Sequence, residues 1–259
     1  MKIYIITDME GISGVLLKEQ LTKENPDYER ARHLLSKEVN ASIEATFEAG
    51  AKEVIVNDGH GTGYNFLIEE MSKEAKYVMG HGRVNMLAGL DEPFQAVLMI
   101  GYHAMAGTKD AVLDHTQNWD TWRNYYINGR RTGEIGQMAA LAGYYKVPVI
   151  FVSGDYAATQ EAREFLGDVE AVAVKKGYGR NFAECLAPEA AHQLIREGIK
   201  KSFSKIGKVK PYILDKPIEI KLEVSTNDIA DNFERNGCLR IDARTVSKIV
   251  DSPLKILTL

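Results

Sequence analysis

A chain of 259 residues, 45% hydrophobic and 26% charged, is long enough to bury its own core and too apolar to stay disordered. Its 32 Lys and Arg against 36 Asp and Glu leave a net charge of −4, and no basic cluster is present of the kind that neutralises several phosphates, so nucleic acid is not an expected partner. The only two cysteines, Cys185 and Cys238, lack metal or disulfide-framework spacing, and no apolar run reaches about 18 residues, which together point to a reduced, cytoplasmic protein with no membrane partner.

In chain order, the first strand is Lys2–Thr7, and it runs directly into Asp8-Met9-Glu10-Gly11 without the apolar stretch of a signal peptide. A helix over 28–48 sets Ala31, Leu34, Leu35, Val39, Ile43 and Phe47 on one face and stops at Gly50. A strand over 53–57 leads into Asp58-Gly59-His60, a strand-like run over 76–79 precedes His81, and a strand over 96–101 leads into Tyr102-His103. Residues 110–128, rich in Trp, Asn and Asp, are too irregular for a buried strand or helix and read as an ordered loop that carries His115. Beyond the Asn128-Gly129 turn, helices are expected at 133–145, 160–165 and 188–203, with strands at 147–152 and 169–174. The pairs Lys175-Lys176 and Lys200-Lys201 read as solvated faces, and 205–217, mixing Lys, Gly and Pro, reads as a connector. After it, 217–224 alternates, 228–234 is helix-like and 238–246 is strand-like.

This alternation of buried strands and helices predicts an α/β fold with a mostly parallel sheet flanked by helices and a smaller α+β layer or second domain. The expected division is 1–210, with an inserted loop region near 82–132, and 211–259.

Ligands collect at the carboxyl ends of such strands, and three of these ends carry ionisable residues. Alternation sends Asp8 and Glu10 to one side, where two like charges need a raised pKa or a cation. His60 and His103 each follow an apolar strand, and Glu134 opens a helix between glycines that allow close approach to a ligand. Oxygen and imidazole donors of this kind suit Zn²⁺, and an Asp able to bridge suits a two-metal site. His115 is a candidate proton carrier, with Asp58 and Asp114 as possible partners for the imidazoles. His33 and His192 fall on helices and His81 stands outside the site. The run Gly59, Gly61, Gly63 resembles a phosphate-holding turn but lacks the G-x-G-x-x-G spacing.

Asp8-Met9-Glu10-Gly11-Ile12-Ser13-Gly14, Val56-Asn57-Asp58-Gly59-His60, Gly101-Tyr102-His103-Ala104, the loop around His115, and Tyr126-Ile127-Asn128 with Gly133-Glu134 resemble peptidase family M55, as does Gly143-Tyr144-Tyr145 before Val147-Pro148-Val149. These are the zinc-dependent D-aminopeptidases of the dipeptide-transport-operon type. The resemblance implies that Asp8, Glu10, His60, His103 and Glu134 ligate two zinc ions with Asp8 as the bridge, and that His115 is catalytic. It also implies short peptides as substrates, a preference for D-residues, and a homo-oligomer of stacked rings, with a decamer as the candidate number. The segment 247–259, with Pro253, departs from the family's terminal helix. Other metal-dependent amidohydrolases or phosphoesterases could use the same ligands, and a non-catalytic nucleotide-binding protein is the rival from another class.

Overall fold

The computed structural model describes residues 1–83, 85–90 and 93–259. Within them the order is β1 (Lys2–Thr7), α1 (Pro26–Glu48), β2 (Glu53–Asp58), β3 (Lys76–Val78), β4 (Ala96–Tyr102), β5 (Trp122–Ile127), β6 (Arg130–Arg131), α2 (Glu134–Tyr144), β7 (Val149–Asp155), α3 (Tyr156–Leu166), β8 (Glu170–Gly179), β9 (Phe182–Cys185), α4 (Pro188–Ser202), β10 (Ile218–Val224), α5 (Asn227–Arg235), β11 (Leu239–Arg240) and β12 (Thr245–Val250).

Seven strands form one sheet in the order β3-β2-β1-β4-β7-β8-β9, parallel except for β9. The chain leaves β1 toward β2 and β3, then crosses back to lay β4 on the other side of β1. That reversal opens a crevice between the carboxyl ends of β1 and β4, the position where open α/β sheets bind ligands. Register fixes what meets there, because Thr7 pairs with Asp58 on one side and with Ile100 on the other. The residues that follow each strand therefore emerge level with one another.

The period-two pattern of β1 divides its side chains between two cores. Ile3 and Ile5 pack with Leu35, Val39 and Ile43 of α1 and with Ile195 and Ile199 of α4. Tyr4 and Ile6 face the opposite core with Met138 and Leu141 of α2 and Ile220 and Leu222 of β10. A sheet covered on both faces explains why its strands read as unbroken apolar runs. Helix α1 starts where Asn25 accepts from the Asp27 N–H and Pro26 occupies the first turn, and it stops before Gly50, whose φ is +105°.

A second sheet, antiparallel in the order β11-β12-β10-β5-β6, joins 122–131 to the 218–250 region. It supplies the smaller layer that the sequence indicates. Two expectations change here. Residues 110–128 are not irregular throughout, since β5 occupies their end; only Tyr125 and Ile127 of that strand are fully buried, so its pattern is too polar to resemble the central strands. The run 238–246 is not one strand, because the chain turns back on itself after β11 and the Ile241 N–H bonds the Thr245 carbonyl at 2.8 Å. After β12 the chain makes a short 3-10 turn at Pro253–Lys255 and buries Ile256, whose carbonyl accepts from the Tyr125 hydroxyl. Among the described residues no helix is long and apolar enough to cross a membrane.

Candidate metal centre

Backbone bonds continue past the strand ends and tie them together. The Asp8 N–H donates to the Ile100 carbonyl at 2.8 Å, the Gly11 N–H to Gly101 at 2.7 Å, and the Gly59 N–H to Thr7 at 3.0 Å. Such close passage requires glycine. A Cβ on Gly101, whose φ is +75°, would stand 2.3 Å from the Asp8 carbonyl oxygen, and one on Gly59 would stand 2.4 Å from that of Thr7. The carbonyls of Gly59 and Gly61 accept from the Arg83 guanidinium at 2.7 and 2.5 Å, so this turn presents oxygen to a cation. A phosphate-holding turn would present N–H groups instead.

These junctions bring all six sequence-derived candidates into one buried cluster. His60 Nδ1 lies 2.9 Å from Asp8 Oδ1 and 3.0 Å from Glu10 Oε2, while His103 Nε2 lies 3.2 Å from Asp8 Oδ2 and 3.6 Å from Glu134 Oε1. Asp8 thus turns one oxygen to each half of the cluster. His115 stacks on His103 with ring centres 4.0 Å apart, and its Nε2 is 3.7 Å from Glu134 Oε1 and 3.8 Å from Glu10 Oε1.

The two stacked imidazoles have a defined polarity. His103 Nδ1 lies 3.0 Å from the Ala104 carbonyl, and His115 Nδ1 lies 3.0 Å from that of Leu113. A carbonyl can only accept, so each Nδ1 carries a hydrogen, and in the neutral ring each Nε2 presents a lone pair to the carboxylates. Lone pairs facing lone pairs repel unless a proton or a cation stands between them. Asp8 Oδ2, Glu10 Oε2 and His103 Nε2 are buried and, though 3.0 to 3.2 Å from an opposite donor or acceptor, make no hydrogen bond of good geometry, which is costly for polar atoms. Ligands at 2.0–2.1 Å around tetrahedral zinc stand about 3.3 Å from one another. The separations above, 2.9 to 3.8 Å, bracket that edge. The donor set therefore fits zinc.

The same crowding governs protonation. Burial alone would keep His60 and His103 neutral and lift the acids. Instead Glu10 and Asp8 around His60, and Glu134 and Asp8 around His103, raise both imidazoles well above their usual range. The reciprocal effect outweighs burial at Asp8, held well below the usual carboxylate range, and lowers Glu134. A divalent cation would replace those protons as the positive partner.

Supporting residues differ from the expected ones. Asp58 accepts from the Asn65 backbone N–H at 2.5 Å and side chain at 2.7 Å, which closes the 58–65 turn, and among the described residues it makes no hydrogen bond to an imidazole. Asp114 binds Arg180 and the Gly107 N–H. Gly133 and Gly136 make room for α3 and not for a ligand, since a Cβ on them would stand 2.4 Å from Glu161 Oε1 and 2.7 Å from Phe165. Lys175 is no solvated lysine: buried, it donates to the carbonyls of Glu10 at 2.5 Å, Ile12 at 2.9 Å and Val15 at 2.5 Å, and so fixes the turn carrying Glu10. Burial pulls its pKa down to about 8. Gln117 and Glu161 also escape sequence reasoning. Gln117, at φ +60°, donates its backbone N–H to Glu134 Oε1 at 2.7 Å; Glu161 accepts from the Met105 N–H at 2.7 Å, and burial lifts its pKa to about 7. His33 pairs with Glu70, His81 stacks with Tyr64, and His192 is half-buried on α4, so all three stand apart from the cluster.

Above the cluster opens a cavity of about 320 Å³ walled by His60, His115, Asn118, Trp119, Leu21 and Met86. Its size suits a small ligand, and its floor is the donor cluster.

Comparison with known proteins gives one consistent result. The family model described as D-aminopeptidase, peptidase M55, matches residues 1–259. A curated D-aminopeptidase of Bacillus subtilis (strain 168) is 39% identical over 212 residues, 82% of this chain and 77% of that protein. The solved structure described as the Zn-dependent D-aminopeptidase DppA from Bacillus subtilis, a self-compartmentalizing protease, superposes with a TM-score of 0.96 at 33% identity, covering 100% of this chain and 94% of that one.

Proposed function

The chain belongs to the D-aminopeptidase family, peptidase M55, and from that premise we propose that it is a zinc-dependent hydrolase that removes the N-terminal residue, preferentially a D-residue, from short peptides. The observation that carries this reading is the cluster of carboxylates and imidazoles in which buried Asp8 Oδ2, Glu10 Oε2 and His103 Nε2 make no hydrogen bond of good geometry. Two zinc ions fit the reading best. Asp8, Glu10, His60, His103 and Glu134 would hold them, with Asp8 the residue shared between the two. Zinc bound there supplies a water of pKa near ~7 and polarises the scissile carbonyl.

The chain's own residues supply the rest. The Leu113 carbonyl keeps the hydrogen of neutral His115 on Nδ1, which leaves Nε2, beside Glu10 and Glu134 in the cavity wall, to take a proton and return it to the departing amine. Trp119, tilted against His115 at 5.3 Å, and Leu21 shield that side of the cavity from water. Free cysteines Cys185 and Cys238 agree with a cytoplasmic location. The self-compartmentalizing DppA neighbour supports a homo-oligomer; its form as stacked rings, with ten subunits as the candidate number, is checked by mass in solution.

The deciding experiment pairs metal content with chelator-sensitive release of amino acids from matched D- and L-dipeptides, with phosphate esters in the same panel. Release from the D-series that disappears with chelator and returns with Zn²⁺ is expected. Hydrolysis of esters alone, or release indifferent to chelator, overturns the assignment.

A further inference from the structure

Next to the metal-side cavity lies another, of about 460 Å³, and the two share His115 and Trp119 as walls. Their charges are opposite. Asp8, Glu10 and Glu134 line the first, whereas Arg123, Arg131 and Arg180 line the second, together with the Trp122 indole and a single carboxylate, Asp114. Asp114 is already engaged, accepting from Arg180 Nε at 2.9 Å and from the Gly107 N–H at 2.6 Å. Arg123 and Arg131 have no carboxylate partner among the described residues.

These guanidiniums are held in place. Arg131 is half-buried and donates to the Ala106 carbonyl, passing close to Gly107, whose φ is +75°. Arg123 donates to the carbonyls of Trp119 at 3.3 Å and Asp120 at 3.2 Å. A guanidinium has five N–H donors, so both retain free ones. The fork geometry of arginine matches a carboxylate, and such charge-assisted bonds are among the stronger ones available to a protein.

An enzyme that cuts the first bond of a dipeptide or tripeptide must place a C-terminal carboxylate within one or two residues of its acidic floor. The adjoining basic cavity offers that carboxylate cationic partners. We propose that the cavity lined by Arg123, Arg131 and Arg180, which shares His115 and Trp119 as walls with the first, binds the C-terminal carboxylate of the peptide and so selects short peptides. The proposal rests on the aminopeptidase reading. A long peptide has no carboxylate at that distance and forgoes the contact.

The test compares dipeptides and tripeptides as free acids with the same peptides as C-terminal amides, on the zinc-loaded wild-type enzyme and on Arg123→Met, Arg131→Met and the double variant. For the wild type, kcat/KM is expected to favour the acid by about tenfold or more at one of the two lengths. In the double variant that ratio should fall to within about twofold of one, through a rise in KM for the acids, with zinc content retained. A wild type that cleaves acid and amide equally at both lengths overturns the proposal without needing any variant. So does a double variant whose acid and amide constants fall together, or one that changes subunit number and keeps the acid preference, which would make this face a subunit contact. Failure to cleave either form would overturn the aminopeptidase reading itself.

Discussion

At the scale of single residues, the arrangement separates ligands from a proton carrier by experiment. His60→Ala and His103→Ala remove donors whose nitrogens lie 2.9 to 3.6 Å from two carboxylates each, and zinc affinity should fall by more than the ~10–100-fold that loss of an outer partner costs. His115→Ala should keep its zinc while kcat drops by about 10²–10⁴. His115 Nε2, at 3.7 and 3.8 Å from its carboxylates, is near enough to join His103 and Glu134 around an ion, so these variants decide its role. Metal analysis beside turnover checks it, and zinc loss in His115→Ala matching that in His103→Ala would make His115 a ligand. Asp8, Glu10, His60, His103 and Glu134 were legible because each follows an apolar strand or opens a helix. Gln117 acts through its backbone N–H and Lys175 through carbonyls of another strand's turn, so their residue types carry no local signal of that role. Asp58 and Asp114 misled for the converse reason, since proximity in sequence to a histidine says nothing of which atoms meet.

At the scale of elements, the centre depends on how closely β1 and β4 emerge side by side. Gly101→Ala should place a methyl 2.3 Å from the Asp8 carbonyl and force a side chain onto a backbone at φ +75°. The combined strain and overpacking are expected to cost at least about 2 kcal/mol and to weaken zinc binding. Urea unfolding of the metal-free protein measures the first effect, and a variant as stable as wild type would show that the junction yields. The central strands and long helices were readable because a sheet covered on both faces leaves continuous apolar runs. β5 was not, because one of its faces is partly exposed and its partner β10 lies far along the chain, at Ile218–Val224. β11 and β12 merged in the reading because the turn between them still carries the apolar Ile241.

At the scale of the whole molecule, the layers explain why the charge of the centre is tolerated. The carboxylates and imidazoles sit at the reversal of strand order, where the backbone is tied by bonds from three strands and the side chains face one another at close range. The same crevice borders a cavity lined by Arg123, Arg131 and Arg180, the place proposed for the carboxylate of a short peptide. Everything in this picture requires metal at the strand ends. Anomalous diffraction at the zinc absorption edge from crystals of the loaded protein reads that directly. Two peaks ~3.5–4 Å apart are expected, with Asp8 shared between them and Glu10, His60, His103 and Glu134 around the pair. No peak among these side chains, or a single one that leaves His60 or Glu134 outside its reach, would contradict the dinuclear centre.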